Sequence, residues 1–180
     1  LHISGINAEV MPGQWEFQIG PITAPRVADE LWIARWMLYR IAEDFLGPKG
    51  IPISATLNPK PVPGDWNGAG CHTNFSTNEM RENIEACVAA AEALGTGDKP
   101  ALHMAGYGAG VELRLTGEHE TQRHDQFSYG VSDRGASVRI PWQVDKAGKG
   151  YIEDRRPNAN CDPYVVTQLV IDTVCAAATK

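Results

Sequence analysis

The chain has 180 residues, and its 22 acidic and 16 basic side chains leave a net charge of −6, with 43% hydrophobic and 21% charged residues. Those proportions exclude a disordered chain and describe a folded globular domain. The acidic balance argues against a nucleic acid or an anionic membrane as partner. No apolar run approaches the roughly 18 residues of a membrane span, no basic-then-apolar leader is recognisable, and no repeat period emerges. The length fits one domain, or one and a part. The chain begins at Leu1, inside a strand-like stretch, and reads as a piece of something longer. Its four cysteines, Cys71, Cys87, Cys161 and Cys175, contain no C-x-x-C pair. They read as reduced thiols rather than as a zinc site or a disulfide framework.

Residues 3–10 and 14–19 both alternate, with Ile6, Ala8 and Val10 on one face and Asn7 and Glu9 on the other. Pro12-Gly13 between them suits the centre of a type II turn, so an antiparallel hairpin is predicted. Residues 26–46 step Val27, Leu31, Ala34, Leu38, Ile41 and Phe45 along one helical face, and Gly47-Pro48 stops them. Trp32, Trp36 and Tyr39 form a second stripe, which predicts a helix buried on two sides. Residues 51–57 read as a strand, followed by a Pro- and Gly-rich loop. The alternation resumes at 71–76. Ser76-Thr77-Asn78-Glu79 reads as a capping box opening a helix through Met80, Ile84, Val88, Ala91 and Leu94 that Gly95 closes. Residues 100–106 are read as a strand and 107–126 as a loop with short structure. Residues 127–142 and 150–156 alternate like strands, and 164–178 is helical. The mixture is α+β.

Four groups of side chains bear on chemistry. A two-residue turn places Glu9 opposite Glu16, with Met11 facing Gln14 and Val10 facing Trp15. Two facing carboxylates repel, and a divalent cation between them removes the conflict; the alternative is that both point into water. His72, Asn74 and Ser76 share a face beside the glycines of Asp65–Gly70, although a single histidine is also an ordinary structural residue. Tyr151, Glu153 and Arg155 share a face of a strand, either as a site for a metal and an anion or as a surface ion-pair ladder. Arg114, Arg134 and Arg139 either clamp an anion or are solvated charges. Carboxylates, a histidine and arginines together describe metal-assisted phosphoryl chemistry. Neither a P-loop nor a G-x-S-x-G elbow is present.

Several long stretches, in order, resemble glutamine synthetase of the class found in eukaryotes and some bacteria. They are Asn7–Pro12 with Gln14–Pro21; Asn58–Pro61 and Trp66–Ser76; Arg114–Gly117 with His119–Thr121; Arg134–Ser137 with Arg139–Pro141; and Gly150-Tyr151, Glu153–Pro157 and Asp162–Tyr164. The resemblance implies ligation of ammonia to L-glutamate, driven by ATP with Mg²⁺ or Mn²⁺, through a γ-glutamyl phosphate. It implies that Glu9 and Glu16 ligate one metal and His72 and Glu153 a second. Trp66, Asn67, Gly68, His72, Arg114 and Arg155 would bind glutamate. Glu16, Asn74, Ser76, Arg134, Arg139 and Tyr151 would meet ATP. Arg134 and Arg139 would steady the phosphoryl group in transit, and Glu120 would sit on a closing flap and help take a proton from ammonium.

The resemblance further implies an antiparallel β-sheet catalytic domain with packed helices. Residues 1–180 would be its C-terminal part, without an N-terminal β-grasp domain and the first catalytic strands, so that this chain alone is expected to be inactive. A ring-shaped, decamer-like homo-oligomer of the full-length protein is implied, in the cytoplasm or a plastid. Val111 departs from the pattern, since relatives usually carry Asn there, and a lost amide would loosen glutamate binding or the flap. Two other readings remain: a non-catalytic structural relative of the family, and a different metal-assisted kinase or ligase.

Overall fold

Residues 1–46 and 50–178 are described by the computed structural model of the chain. Two alternating stretches open it and pair antiparallel as β1 (Ile3–Ala8) and β2 (Trp15–Ile19). The turn is the expected one: Gln14 N donates to Met11 O at 3.0 Å, and Gly13 has φ 77°. The register is not. Ala8 pairs with Trp15 and Asn7 with Glu16, so Glu9 does not stand opposite Glu16, and Val10 and Met11 do not face Trp15 and Gln14. Met11 leaves the strand line and is 4% exposed, while Gln14 O accepts from Glu9 N at 3.0 Å. Burying one methionine thus shifts the ladder by two residues. The apolar side of the hairpin, with Ile6, Val10 and Trp15, remains exposed.

The long helix forms as α1 (Arg26–Asp44). The Gly47-Pro48 stop lies outside the described residues. Burial on two sides does not hold. The buried residues are Ala28, Glu30, Ala34 and Arg35, whereas Trp36 is 63% exposed and Trp32, Tyr39 and Ile41 are exposed as well. Among the described elements α1 packs chiefly on β2 and the last helix, and these cover only the strip that carries Ala28, Glu30, Ala34 and Arg35. The strand expected at 51–57 is also missing. Among the described residues only Pro52 bridges, to Leu46, no strand pairs with the rest, and Ile51 and Ile53 stay exposed.

β3 (Thr73–Phe75) is followed by a turn in which Thr77 Oγ1 accepts from Met80 N at 3.2 Å. The helix itself starts later than the expected capping box, as α2 (Ile84–Ala93), because Asn83 Oδ1 accepts from Ala86 N at 2.7 Å. Residues expected as a strand at 100–106 instead form α3 (Lys99–Gly106). Pro100 suits its first turn, and the four-residue spacing of His103 and Tyr107 places both in the interior. α4 (Val111–Arg114) is the short structure within the following loop. β4 (Tyr129–Val131) and β5 (Val138–Ile140) come from the alternating stretch 127–142, α5 (Trp142–Ala147) was not foreseen, and β6 (Ile152–Asp154) precedes α6 (Pro163–Ala178).

The larger sheet runs β3-β6-β5-β4. β3–β6 and β6–β5 are antiparallel, but β4 lies parallel to β5, so the sheet is mixed within an α+β fold. Val138, Ile140 and Ile152 point to the face covered by α2 and α6, where Cys87, Ala91, Leu94, Val170 and Val174 complete the core. Arg139 and Glu153, one residue out of phase, occupy the other face. No helix among the described residues is long and apolar enough to cross a membrane.

His103 is wholly buried on α3, with Nδ1 2.5 Å from Tyr107 Oη and Nε2 2.8 Å from Thr173 Oγ1. Burial, aided by the Arg156 charge, pulls its pKa from 6.5 to about 4. The unfolded chain therefore binds the proton more readily. The neutral ring's contribution is complete above pH 6.5 and is lost as pH falls toward 4, up to about 3 kcal/mol. Urea midpoints measured between pH 7 and 4.5 should fall with this window, and His103→Gln should flatten the slope; an unchanged slope would contradict the assignment.

Candidate active site

Alternation through residues 151–156 divides one strand between two environments. Ile152, Asp154 and Arg156 turn inward, and Glu153 and Arg155 face away from the helices. Glu153 Oε1 accepts from Arg155 Nη1 at 3.0 Å and lies 3.2 Å from His72 Nδ1. Glu153 Oε2 is 2.5 Å from Arg139 Nε, an ion pair without hydrogen-bond alignment, so this buried oxygen receives no hydrogen bond from the described residues. Register explains the convergence: Arg139 on β5 and Asn74 on β3 are the direct cross-strand partners of Glu153.

Burial lowers the pKa of His72, and the Arg155 and Arg114 charges add to this against the Glu153 hydrogen bond. The ring is therefore neutral at pH 7, the form that ligates a metal. Burial would raise Glu153, but the His72 hydrogen bond and the Arg155 and Arg139 charges outweigh it and keep the carboxyl below its ordinary value. A neutral imidazole beside a carboxylate oxygen with no donor suits a divalent cation.

A second carboxylate pair forms on the hairpin. Despite the shifted register, Glu9 meets Glu16 diagonally across the ladder, close enough to share a hydrogen bond. Burial and then the Glu16 charge raise the Glu9 carboxyl above its ordinary value. The conflict anticipated from the sequence is thus present, through a different geometry. Among the described residues no group of three or more His, Cys, Asp or Glu side chains is placed to hold a metal, so each candidate site offers a pair.

Two loops connect these parts. Asn67 Nδ2 donates to Gln14 Oε1 at 3.0 Å and Gln14 Nε2 to Gly68 O at 3.4 Å, which fastens the 64–70 loop to the hairpin. Asn67 Oδ1 is buried and has no hydrogen-bond partner among the described residues. Trp66 is 37% exposed, and its carbonyl accepts from Lys60 Nζ. On the other side, His119 Nε2 lies 3.0 Å from Asp65 Oδ1. His119 and Glu120 adopt φ of 52° and 58°, an uncommon conformation for side chains of this kind and one that persists where surrounding contacts enforce it. Those contacts are Arg155 Nη2 to Glu120 O at 3.2 Å and Arg134 Nη1 at 3.4 Å from both Glu120 carboxylate oxygens.

His72, Arg139, Glu153 and Arg155 are therefore in direct contact, and Glu120 and Arg134 join them through Arg155. Ser76 Oγ instead accepts from Arg81 Nε at 3.0 Å, and Tyr151 stands exposed just before β6. Arg114 is not a solvated charge. It is 4% exposed, donates from Nε to Asn158 Oδ1 at 2.7 Å, and from Nη2 to the carbonyls of Arg155, Arg156 and Pro157. Burial pulls its pKa down to about 10, which leaves it charged at neutral pH. Its Nη1 lies over Gly70, where a Cβ would sit 3.0 Å from it and 3.1 Å from His72 Nε2. Val111 packs its apolar side chain against the Tyr107–Cys161–Val166 cluster.

The sequence reading missed the supports beneath this face: Tyr107, Asp154 and Arg156 under β6, and Arg35 and Asn158 around the loop that follows. The signal for the first was available, since Glu153-Asp154-Arg155-Arg156 sets up two i, i+2 ion pairs on opposite faces of a strand.

An α+β domain with paired metal-type ligands and converging arginines on the sheet face turned away from the helices is the class of protein so defined. Residues 1–106 match the family model of the glutamine synthetase catalytic domain, and the chain belongs to that family. It is 67% identical over its whole length to glutamine synthetase of Streptomyces viridochromogenes, covering 51% of that protein. It is 58% identical over 98% of its length to that of Frankia alni, covering 48%, and 54% identical over 96% to the cytosolic isozyme 1 of Glycine max, covering 47%. The chain thus spans about half the length of these curated relatives.

A Cβ on Gly68 would lie 2.4 Å from Arg114 Cγ and 2.6 Å from Pro59 O. Gly68→Ala should therefore overpack the loop by ~1–3 kcal/mol and lower Tm by ~3–10 °C. A wild-type melting curve would show that the loop is not held against Arg114.

Proposed function

We propose that the chain contributes the C-terminal part of the catalytic domain of an ATP-dependent glutamate–ammonia ligase. The observation that carries this reading is the Glu153 cluster, in which a carboxylate, a neutral histidine and two arginines meet on one sheet face, with Glu120 and Arg134 closing over it.

In this reading Glu9 and Glu16 hold one Mg²⁺ or Mn²⁺, and His72 and Glu153 a second. Bound there, the ions neutralise the phosphates of ATP. Arg155 and the Nη1 end of Arg114 bind the carboxylates of glutamate, within a pocket walled by Trp66, Asn67 and Gly68. Asn74, Ser76 and Tyr151 meet the nucleotide. The γ-carboxylate oxygen of glutamate attacks the terminal phosphorus of ATP, giving ADP and an acyl phosphate. Arg139 and Arg134 hold the negative charge on the phosphoryl oxygens during transfer. The loop at Glu120, latched by Arg134 and Arg155, shields the acyl phosphate from water, and the Glu120 carboxylate takes a proton from ammonium. Ammonia nitrogen then attacks the acyl carbon and phosphate leaves. In the full-length protein the assembly is a ring-shaped homo-oligomer, located in the cytoplasm or a plastid.

Each metal has two protein ligands in this chain, fewer than a hard divalent cation usually recruits from protein and substrate together. We therefore expect no γ-glutamyl hydroxamate from glutamate, ATP, Mg²⁺ and hydroxylamine with the 180 residues alone. Product that vanishes in Glu16→Gln would establish the chemistry and show that two ligands per ion suffice. Binding is the more direct readout. Saturating Mn²⁺ with ADP should raise Tm by ~4–10 °C, and Glu153→Gln should abolish most of that rise. No shift in the wild-type chain would overturn the assignment of these residues to metal and nucleotide.

A further inference from the structure

Cys71 and Cys161 are remote in sequence and adjacent in space. Cys71 N donates to Pro157 O at 2.8 Å beside the Gly70–Asn158 bridge, and a turn closed by Cys161 N to Asn158 O at 3.0 Å brings the chain back. The Cys71 side chain packs against the buried cluster that contains Cys161, which makes the two thiols neighbours. Arg35 fixes the second cysteine from outside, donating at 2.8 Å from Nη1 to Cys161 O and from Nη2 to Ala159 O, with Nη2 also 3.9 Å from Cys161 Sγ. The buried Arg114 guanidinium lies near Cys71 over Gly70, and the apolar neighbours of the pair are Tyr107 and Val166, with Met104, Val111 and Leu169. Cys161 is 1% exposed, whereas Cys71 is half-buried. The function proposed above uses neither thiol.

We propose that Cys71 and Cys161 are a peroxide-oxidisable dithiol that closes to a disulfide. Cys71 is the sulfur that peroxide reaches. It attacks one oxygen of hydrogen peroxide; the O–O bond breaks, an S–OH forms, and the other oxygen leaves as water. Cys161 sulfur then attacks the Cys71 sulfur. An S–S bond forms, the S–OH bond breaks, and hydroxide leaves with the Cys161 proton as a second water. Two thiols are oxidised by two electrons in all, and one peroxide is reduced. The new bond ties the residue before His72 to the turn carrying Asn158, which holds Arg114. That consequence for the site rests on the proposed function; the cross-link does not.

The test treats the 180-residue chain with hydrogen peroxide, counts free thiols and maps peptides without reduction. Free thiols should fall from four to two, and the Cys71 and Cys161 peptides should appear as one linked species that dithiothreitol separates. In Cys161→Ser, Cys71 should stop as a sulfenic acid that dimedone traps. Oxidation of wild-type Cys71 to sulfinic acid with no linked peptide would overturn the proposal. So would oxidation confined to the exposed Cys175 while the pair stays reduced.

Discussion

Asp154 and Arg156 form an ion pair at 2.7 Å with both side chains almost wholly buried beneath the sheet. Taking two charges out of water is costly, and their attraction offsets that only when the remaining hydrogen-bonding capacity is met. Here it nearly is. Asp154 accepts twice from the Arg156 side chain, once from Arg156 N, and from Tyr107 Oη at 2.6 Å. Burial would raise Asp154, but these partners keep its carboxyl below the ordinary value. Arg156 Nη1 has no hydrogen-bond acceptor among the described residues, while the guanidinium lies 5.2 Å from the ring centres of both Tyr107 and Phe127. Ring faces are a tolerable environment for a cation that lacks one acceptor.

This pair fixes the pleat of β6, and the pleat fixes the candidate site. With Asp154 and Arg156 held inward, Glu153 and Arg155 have no option but the opposite face. Cross-strand register then delivers Arg139 and Asn74 beside Glu153. The chain beyond β6 is immobilised by two more buried guanidiniums. Arg114 gathers the carbonyls of residues 155–157, and Arg35 those of 159 and 161. Arginine suits this task because its fork presents several donors in a rigid plane. Charge in this acidic protein is thus spent inside the fold as much as on its surface.

The legible parts of the fold were those in which one strong local signal governs. The helix of the five-step apolar stripe, the Pro12-Gly13 turn and the apolar run of α6 all formed where expected. The failures share a physical cause. Residues 51–57 have the composition of a strand but, among the described residues, no strand to pair with. Residues 100–106 are apolar enough for a strand, yet Pro100 and the inward pull of His103 and Tyr107 make a helix. At the site, the alternation of residues 151–156 was readable from type and spacing, whereas the burial of Arg114 was not, because its partners lie more than forty residues away.

Local chemistry in the sequence determined which residues alternate, where turns fall, and that Glu9 and Glu16 share an uneasy neighbourhood. Long recurring stretches also determined the family. Register, burial and pairing belonged to the tertiary structure alone. One inward-turning methionine moved the hairpin by two residues, and the parallel placement of β4 beside β5 made the sheet mixed. Which guanidiniums became internal struts and which stayed exposed was settled by the carbonyls and carboxylates that distant segments brought to them, information that no local window of sequence contains.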